Sequence, residues 1–229
     1  MLLDKAIVIL AALSALGVIV MKKRFFALLA ALFVFSALFL RSAEALRPFG
    51  IGMLESILVF ALALFIRAYI SDIDHFAGKM TLLFGGGLCA LMAWMTNDFY
   101  YLKPIMPALR SPLFYLHIPL FFAGYACLSY QTARAIKGKT PRLGMAVSFI
   151  FAGIITGGIW AHYAWGFAWS WDPKETWSLI TMLILIMAEH IDNPKWKRIF
   201  TIIAFLAMLF TFIGIAFFFT GLHSYQSPG

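Results

Sequence analysis

Five histidines and one tryptophan-rich segment are the side chains of this 229-residue chain best suited to chemistry. The histidines are His75, His117, His162, His190 and His223; the segment is WAHYAWGFAWSWDPKETW, residues 160 to 177, with five of the seven tryptophans. Neutral imidazole is the commonest metal ligand, and two axial imidazoles beside an aromatic wall suit haem iron. Clustered indoles have two uses near a membrane: they anchor a protein in the headgroup layer, or they form a flat platform for a planar ligand. An aromatic belt scatters Trp over several span ends, whereas most of it falls in one segment here. No Ser/His/Asp or Cys/His nucleophile is visible. The two cysteines, Cys89 and Cys127, lie far apart in apolar stretches with no CxxC, which argues against thiol exchange or a thiolate zinc site. We read both as small buried hydrophobes.

The elements that must position these groups follow from composition. With 63% hydrophobic and 12% charged residues, the chain reads as an all-α polytopic membrane protein. Apolar runs predict a bundle of about eight transmembrane helices, near 5–21, 25–40, 52–70, 80–96, 112–133, 143–163, 174–190 and 199–220. The first two are short for a bilayer of about 30 Å, which needs roughly 20 residues, and suggest a tilted or shallow hairpin. Residues 1–21 read as a retained span, because Lys22-Lys23-Arg24 follow the apolar run instead of preceding it. No linker or low-complexity tract divides the chain, so residues 1–229 read as a single transmembrane domain. Placing both termini outside puts twelve Lys and Arg in cytoplasmic loops and six in outer segments. That positive-inside bias sets the expected orientation and puts the tryptophan loop on the outer face. The net charge of +8 then reflects loops and anionic lipid, with no nucleic acid partner.

On this topology His117 lies about five residues into the fifth span, roughly 8 Å deep. His223 follows the last span just past Gly221, a C′ residue where that helix would stop. Both fall at the level of the tryptophan loop. His190 lies at the other end of the seventh span, roughly 25 Å from Asp172. His162 borders the cluster as a possible third polar contact, and His75 sits in a cytoplasmic loop beside Asp72 and Asp74. Pro119 could kink the fifth span near His117. Asp172-Pro173-Lys174-Glu175 reads as a helix start, with Asp at the N-cap, Pro at the first position and Glu175 closing a capping box.

WGFAWSWDPKETW, followed by SLITMLILIMAEH, resembles the WWD motif of the CcsA (ResC) family, the haem-handling proteins of system II cytochrome c assembly. SPLFYLHIPLFFAGYA (111–126) resembles the segment carrying that family's first external histidine, and GLHSY (221–225) is similar to the second. Pro48 through Ser56 matches an earlier motif less well, with Gly52 where the family often has Asn. The resemblance covers about residues 48–225. CcmC proteins share a WWD segment, but the PKETW continuation favours CcsA. The resemblance implies haem b as a non-covalent cargo, with His117 and His223 as axial ligands. It places Trp165, Trp169, Trp171 and Asp172 in the cofactor loop and His190 at the family's cytoplasmic-side histidine. It further implies a bacterial cytoplasmic membrane location, an outward-facing loop, a CcsB (ResB)-type partner and an apocytochrome c substrate with a CxxCH motif. The chain would then be the haem-translocating and presenting half of a two-protein synthase.

Two other classes compete. A b-type cytochrome subunit in quinone-linked electron transfer would place both ligands within helices, which a tail residue such as His223 fits poorly. A secondary transporter would show an inverted repeat with paired broken helices, and nothing here resembles one.

Overall fold

The computed structural model describes residues 2–21, 25–45, 52–71, 76–94 and 109–218. The helices run in the order the apolar stretches predict: α1 (Leu2–Met21), α2 (Phe25–Ala45), α3 (Met53–Ile70), α4 (Phe76–Trp94), α5 (Pro112–Ile136), α6 (Gly144–Trp165), α7 (Pro173–His190) and α8 (Pro194–Leu209). α8 continues through one π turn (Phe210–Gly214) into α9 (Ile215–Phe218). No strand occurs among the described residues. By length and composition α2, α4, α5, α6 and the Pro194–Gly214 stretch can each cross a membrane.

Two boundaries move for physical reasons. α1 and α2 run 20 and 21 residues, about 30 Å each at about 1.5 Å per residue, so neither is short. The apolar run of α2 stops at Arg41, but the helix does not. Arg41 is buried and ion-paired at 3.7 Å with Glu55 of α3, so its charge sits inside the bundle and not in a loop. The start of α8 is hidden in the same way, because Lys195, Lys197 and Arg198 are helical. Asn193 caps it, its Oδ1 accepting from the N–H groups of Lys195 (2.9 Å) and Trp196 (3.4 Å).

α5 is the central helix, packed against α3, α4, α6 and α8. Its approach to α6 is close because Gly124 lies directly over Ile150, the small-residue contact that helix pairs in lipid favour. Phe60 of α3 forms an aromatic hub, stacking on Phe122 of α5 at 5.5 Å. It also meets Phe84 of α4 (5.6 Å) and Phe212 of the π turn (5.7 Å) edge to face. Pro119 lies inside α5, which continues unbroken past it. Cys89 and Cys127 are both buried.

Candidate functional site

The site sits where α6 hands the chain to α7. α6 stops because Gly166 takes a left-handed conformation (φ +86°), and its N–H donates to the His162 carbonyl at 2.9 Å. The chain then folds back until the Ala168 carbonyl rests against Gly158. α7 begins as its sequence predicts, with Asp172 Oδ1 accepting the Lys174 N–H at 2.9 Å and Pro173 at the first helical position.

Glu175 departs from the expected capping box. Its Oε2 accepts from the N–H (2.8 Å) and hydroxyl (3.0 Å) of Ser170, two residues before the cap. The Ser170 hydroxyl in turn accepts the Asp172 N–H at 3.4 Å. Trp171, between Ser170 and the cap, takes a left-handed conformation (φ +60°). A bulky L residue in that region costs about 1–3 kcal/mol, so it persists only where its surroundings enforce it. Glu175 and Ser170 are that enforcement.

Beneath the loop lies a connected aromatic stack. Trp160 is buried, with its ring 4.9 Å from Phe114, 4.7 Å from Trp165 and 6.2 Å from the His117 imidazole, which it faces at 28°. Phe121 meets the other side of His117 edge-on at 4.9 Å. His117 Nδ1 lies 2.8 Å from the Gly153 carbonyl oxygen. A carbonyl can only accept, so Nδ1 carries the hydrogen and the ring's lone pair is on Nε2. This is the arrangement by which proteins orient a histidine toward a metal. The ring reaches α6 only because residue 157 is glycine; a Cβ there would fall on the imidazole. Nearer the surface, Trp169 and Trp171 pack edge to face at 5.8 Å, and the Trp171 side is 69% exposed. Tyr163 and Phe167 are exposed beside them. Trp177 leaves the loop and packs on Phe210 at 4.4 Å, tying α7 to the π turn.

The structure thus brings His117 and Trp165 together through Trp160, and pairs Trp169 with Trp171. Asp172 is buried in its cap. His190 ends α7 far from this site, exposed, its Nδ1 bonded to the Ile186 carbonyl at 2.8 Å. His162 is exposed with its ring edge-on to Tyr163. His223, Gly221 and His75 lie outside the described residues. Sequence reasoning gave no separate role to Trp160 or Gly157, nor to the Gly153 carbonyl or Ser170, although Trp160 and Ser170 lie within the tryptophan-rich segment. The first two had a signal in Gly157-Gly158-Ile159-Trp160, where a glycine precedes an indole by one helical turn.

The model of the family described as "Cytochrome C assembly protein" matches residues 140–223, which include the tryptophan loop and α7. The chain is 32% identical over 152 residues to the cytochrome c biogenesis protein CcsA of Chlamydomonas reinhardtii, covering 54% of this chain and 43% of that protein. It is 41% identical over 109 residues to CcsA of Gloeobacter violaceus (45% and 32%) and 44% identical over 84 residues to CcsA of Cyanidium caldarium (36% and 28%). The chain spans about half, or less, of the length of these curated relatives. Among solved structures it is similar in fold to the cytochrome c haem lyase CcmF, with a TM-score of 0.58 at 20% identity over 92% of this chain and 45% of that one. Over residues 140–223 the chain matches the cytochrome c assembly protein family, and over the region it shares with these relatives it is similar to CcsA cytochrome c biogenesis proteins.

Proposed function

We propose that this chain holds haem at the outer membrane face and presents it for attachment to apocytochrome c. The observation that carries the reading is His117, held by the Gly153 carbonyl with its ligating nitrogen set, against the Trp160–Trp165 stack under an exposed tryptophan loop. In this reading haem b is cargo, and His117 and His223 are its axial ligands. Trp165, Trp169 and Trp171 meet the porphyrin faces or edges. Asp172 and Glu175 shape the loop without touching iron. Lys174, half-buried at the start of α7, Arg110 and the α7 N-terminus are candidate partners for the propionates, with Lys103, which lies outside the described residues.

Attachment adds each apocytochrome thiol across a vinyl group of the macrocycle to form a thioether. The cofactor supplies most of that reactivity; the protein supplies orientation and shelter from side reactions. The chain would sit in the bacterial cytoplasmic membrane with its loop outward and act with a CcsB-type partner. In this reading His190, at the opposite end of α7, would be the contact for haem arriving from the cytoplasmic side.

The test is the optical spectrum of the purified protein. The expected result is non-covalent haem with a low-spin, bis-histidine spectrum, lost in His117→Ala and His223→Ala together with cytochrome c maturation. Both variants keeping spectrum and maturation would refute the ligand assignment. Rapid reduction by a quinol, with normal cytochrome c assembly in a deletion strain, would favour an electron-transfer subunit instead.

A further inference from the structure

At the end of the bundle opposite the tryptophan loop, a cavity of about 570 Å³ opens between the C-terminal ends of α3, α5 and α7 and the start of α6. Its volume falls within the roughly 300–1,000 Å³ typical of small-molecule sites. Arg67, Arg134 and Arg142 line it, and Glu189 is the one acidic residue among the lining side chains. That carboxylate is already engaged, accepting the Leu143 N–H at 3.1 Å and pairing with Lys197 at 3.2 Å. The cavity therefore carries a net positive charge from guanidinium groups.

These arginines are placed by the fold. Arg67 lies over the Tyr130 ring at 4.0 Å and bonds Ser71. The loop bearing Arg142 is pinned by its own N–H to Gln131 Oε1 at 3.1 Å. Cations offset the dipole at helix C-termini, which accounts for Arg67 and Arg134 but not for Arg142, which precedes the N-terminus of α6. It does not account for a cavity between them. Nor does it account for the Nε atoms of Arg67 and Arg134, which are shut off from solvent with no hydrogen-bond partner among the described residues. An anion in the open cavity would meet the terminal nitrogens of these guanidinium groups instead, and an oxyanion is the natural complement of such forks. The rim adds a second clue: Ile70 and Met145, which also line the cavity, are 70% and 60% exposed. An anionic group in the cavity can thus continue into apolar chains along the bundle surface.

We propose that this cavity binds a phosphate oxyanion, borne by an anionic phospholipid headgroup or free in solution, with Arg67, Arg134 and Arg142 as its ligands. Basic pockets between membrane helices recognise lipid headgroups by this chemistry. The site is independent of the haem reading.

The experiment follows thermal unfolding of the whole purified protein in detergent. Phosphatidylglycerol, phosphatidylcholine and inorganic phosphate are titrated separately at fixed ionic strength. Phosphatidylglycerol is expected to raise Tm where phosphatidylcholine does not, and its apparent affinity should fall about fivefold for each of Arg67→Gln and Arg142→Gln. Arg198→Gln, whose guanidinium instead reaches the Gly138 carbonyl at 3.2 Å, should respond as wild type. Arg142 is exposed, so its variant tests the site even if Arg67→Gln fails to fold. Protection by inorganic phosphate to the same Tm makes the ligand a soluble phosphate; protection by phosphatidylglycerol alone makes it a lipid. Equal responses to the two lipids with none to phosphate, or arginine variants that behave as wild type, overturn the proposal. So does loss of co-purifying haem from Arg142→Gln with an unchanged lipid response, which would make the ligand a carboxylate.

Discussion

His117 owes its position to what residue 157 lacks. The imidazole rests on the bare backbone of α6 and reaches the Gly153 carbonyl one turn away, so orientation and packing are one contact. Gly157→Ala must push the ring off that carbonyl. We expect a loss of about 1–3 kcal/mol, as for other overpacked sites, seen in thermal melts, together with an altered haem spectrum in the proposed complex. An unchanged melt and spectrum would show that the ring does not depend on that approach. At this scale the sequence was legible where chemistry is local. Asp172, Pro173 and the helix start they encode need only near neighbours, and Cys89 and Cys127 are buried as small apolar residues should be. Trp160 and Gly157 were not legible as site residues because their roles depend on α5 lying against α6.

α7 shows how much an element's first turn can do. Its cap is formed by Asp172, while Glu175 reaches out of the helix to clasp Ser170 around the left-handed Trp171. The two acids therefore have separable roles. Asp172→Ala should cost about 1 kcal/mol of stability, and Asp172→Asn, which keeps the accepting oxygen, much less. Comparing the chemical denaturation of the two variants checks this; equal losses would mean that the charge, not the cap, matters. The order and number of helical elements were legible from hydropathy alone. Their ends were not, wherever a charge lies within a helix. Arg41 and the basic first turn of α8 both look like loop residues until Glu55 and Asn193 supply their partners. The π turn at Phe210–Gly214 left no signal in the apolar pattern, because it changes backbone register and not residue type.

For the whole molecule, the proposed orientation places the α6–α7 loop outside and the Arg142 loop inside. Both native thiols are buried, so a single introduced cysteine reports its own side. In intact cells a membrane-impermeant maleimide should label Phe167→Cys and leave Lys139→Cys unlabelled until the membrane is opened. The reverse pattern would invert the topology. Charge counting is the basis of this proposed arrangement, but the cavity between α3, α5, α6 and α7 was invisible to it, since Arg67, Arg134 and Arg142 are scattered over 76 positions of sequence. The seclusion of Cys89 and Cys127 also has a meaning for the proposed reaction. A protein that carries an alkene-bearing macrocycle to another protein's sulfur atoms must not become the substrate itself. With its own two thiols withdrawn into α4 and α5, a carrier of this kind offers no thiol nucleophile, so that in the proposed reaction the incoming apocytochrome supplies it.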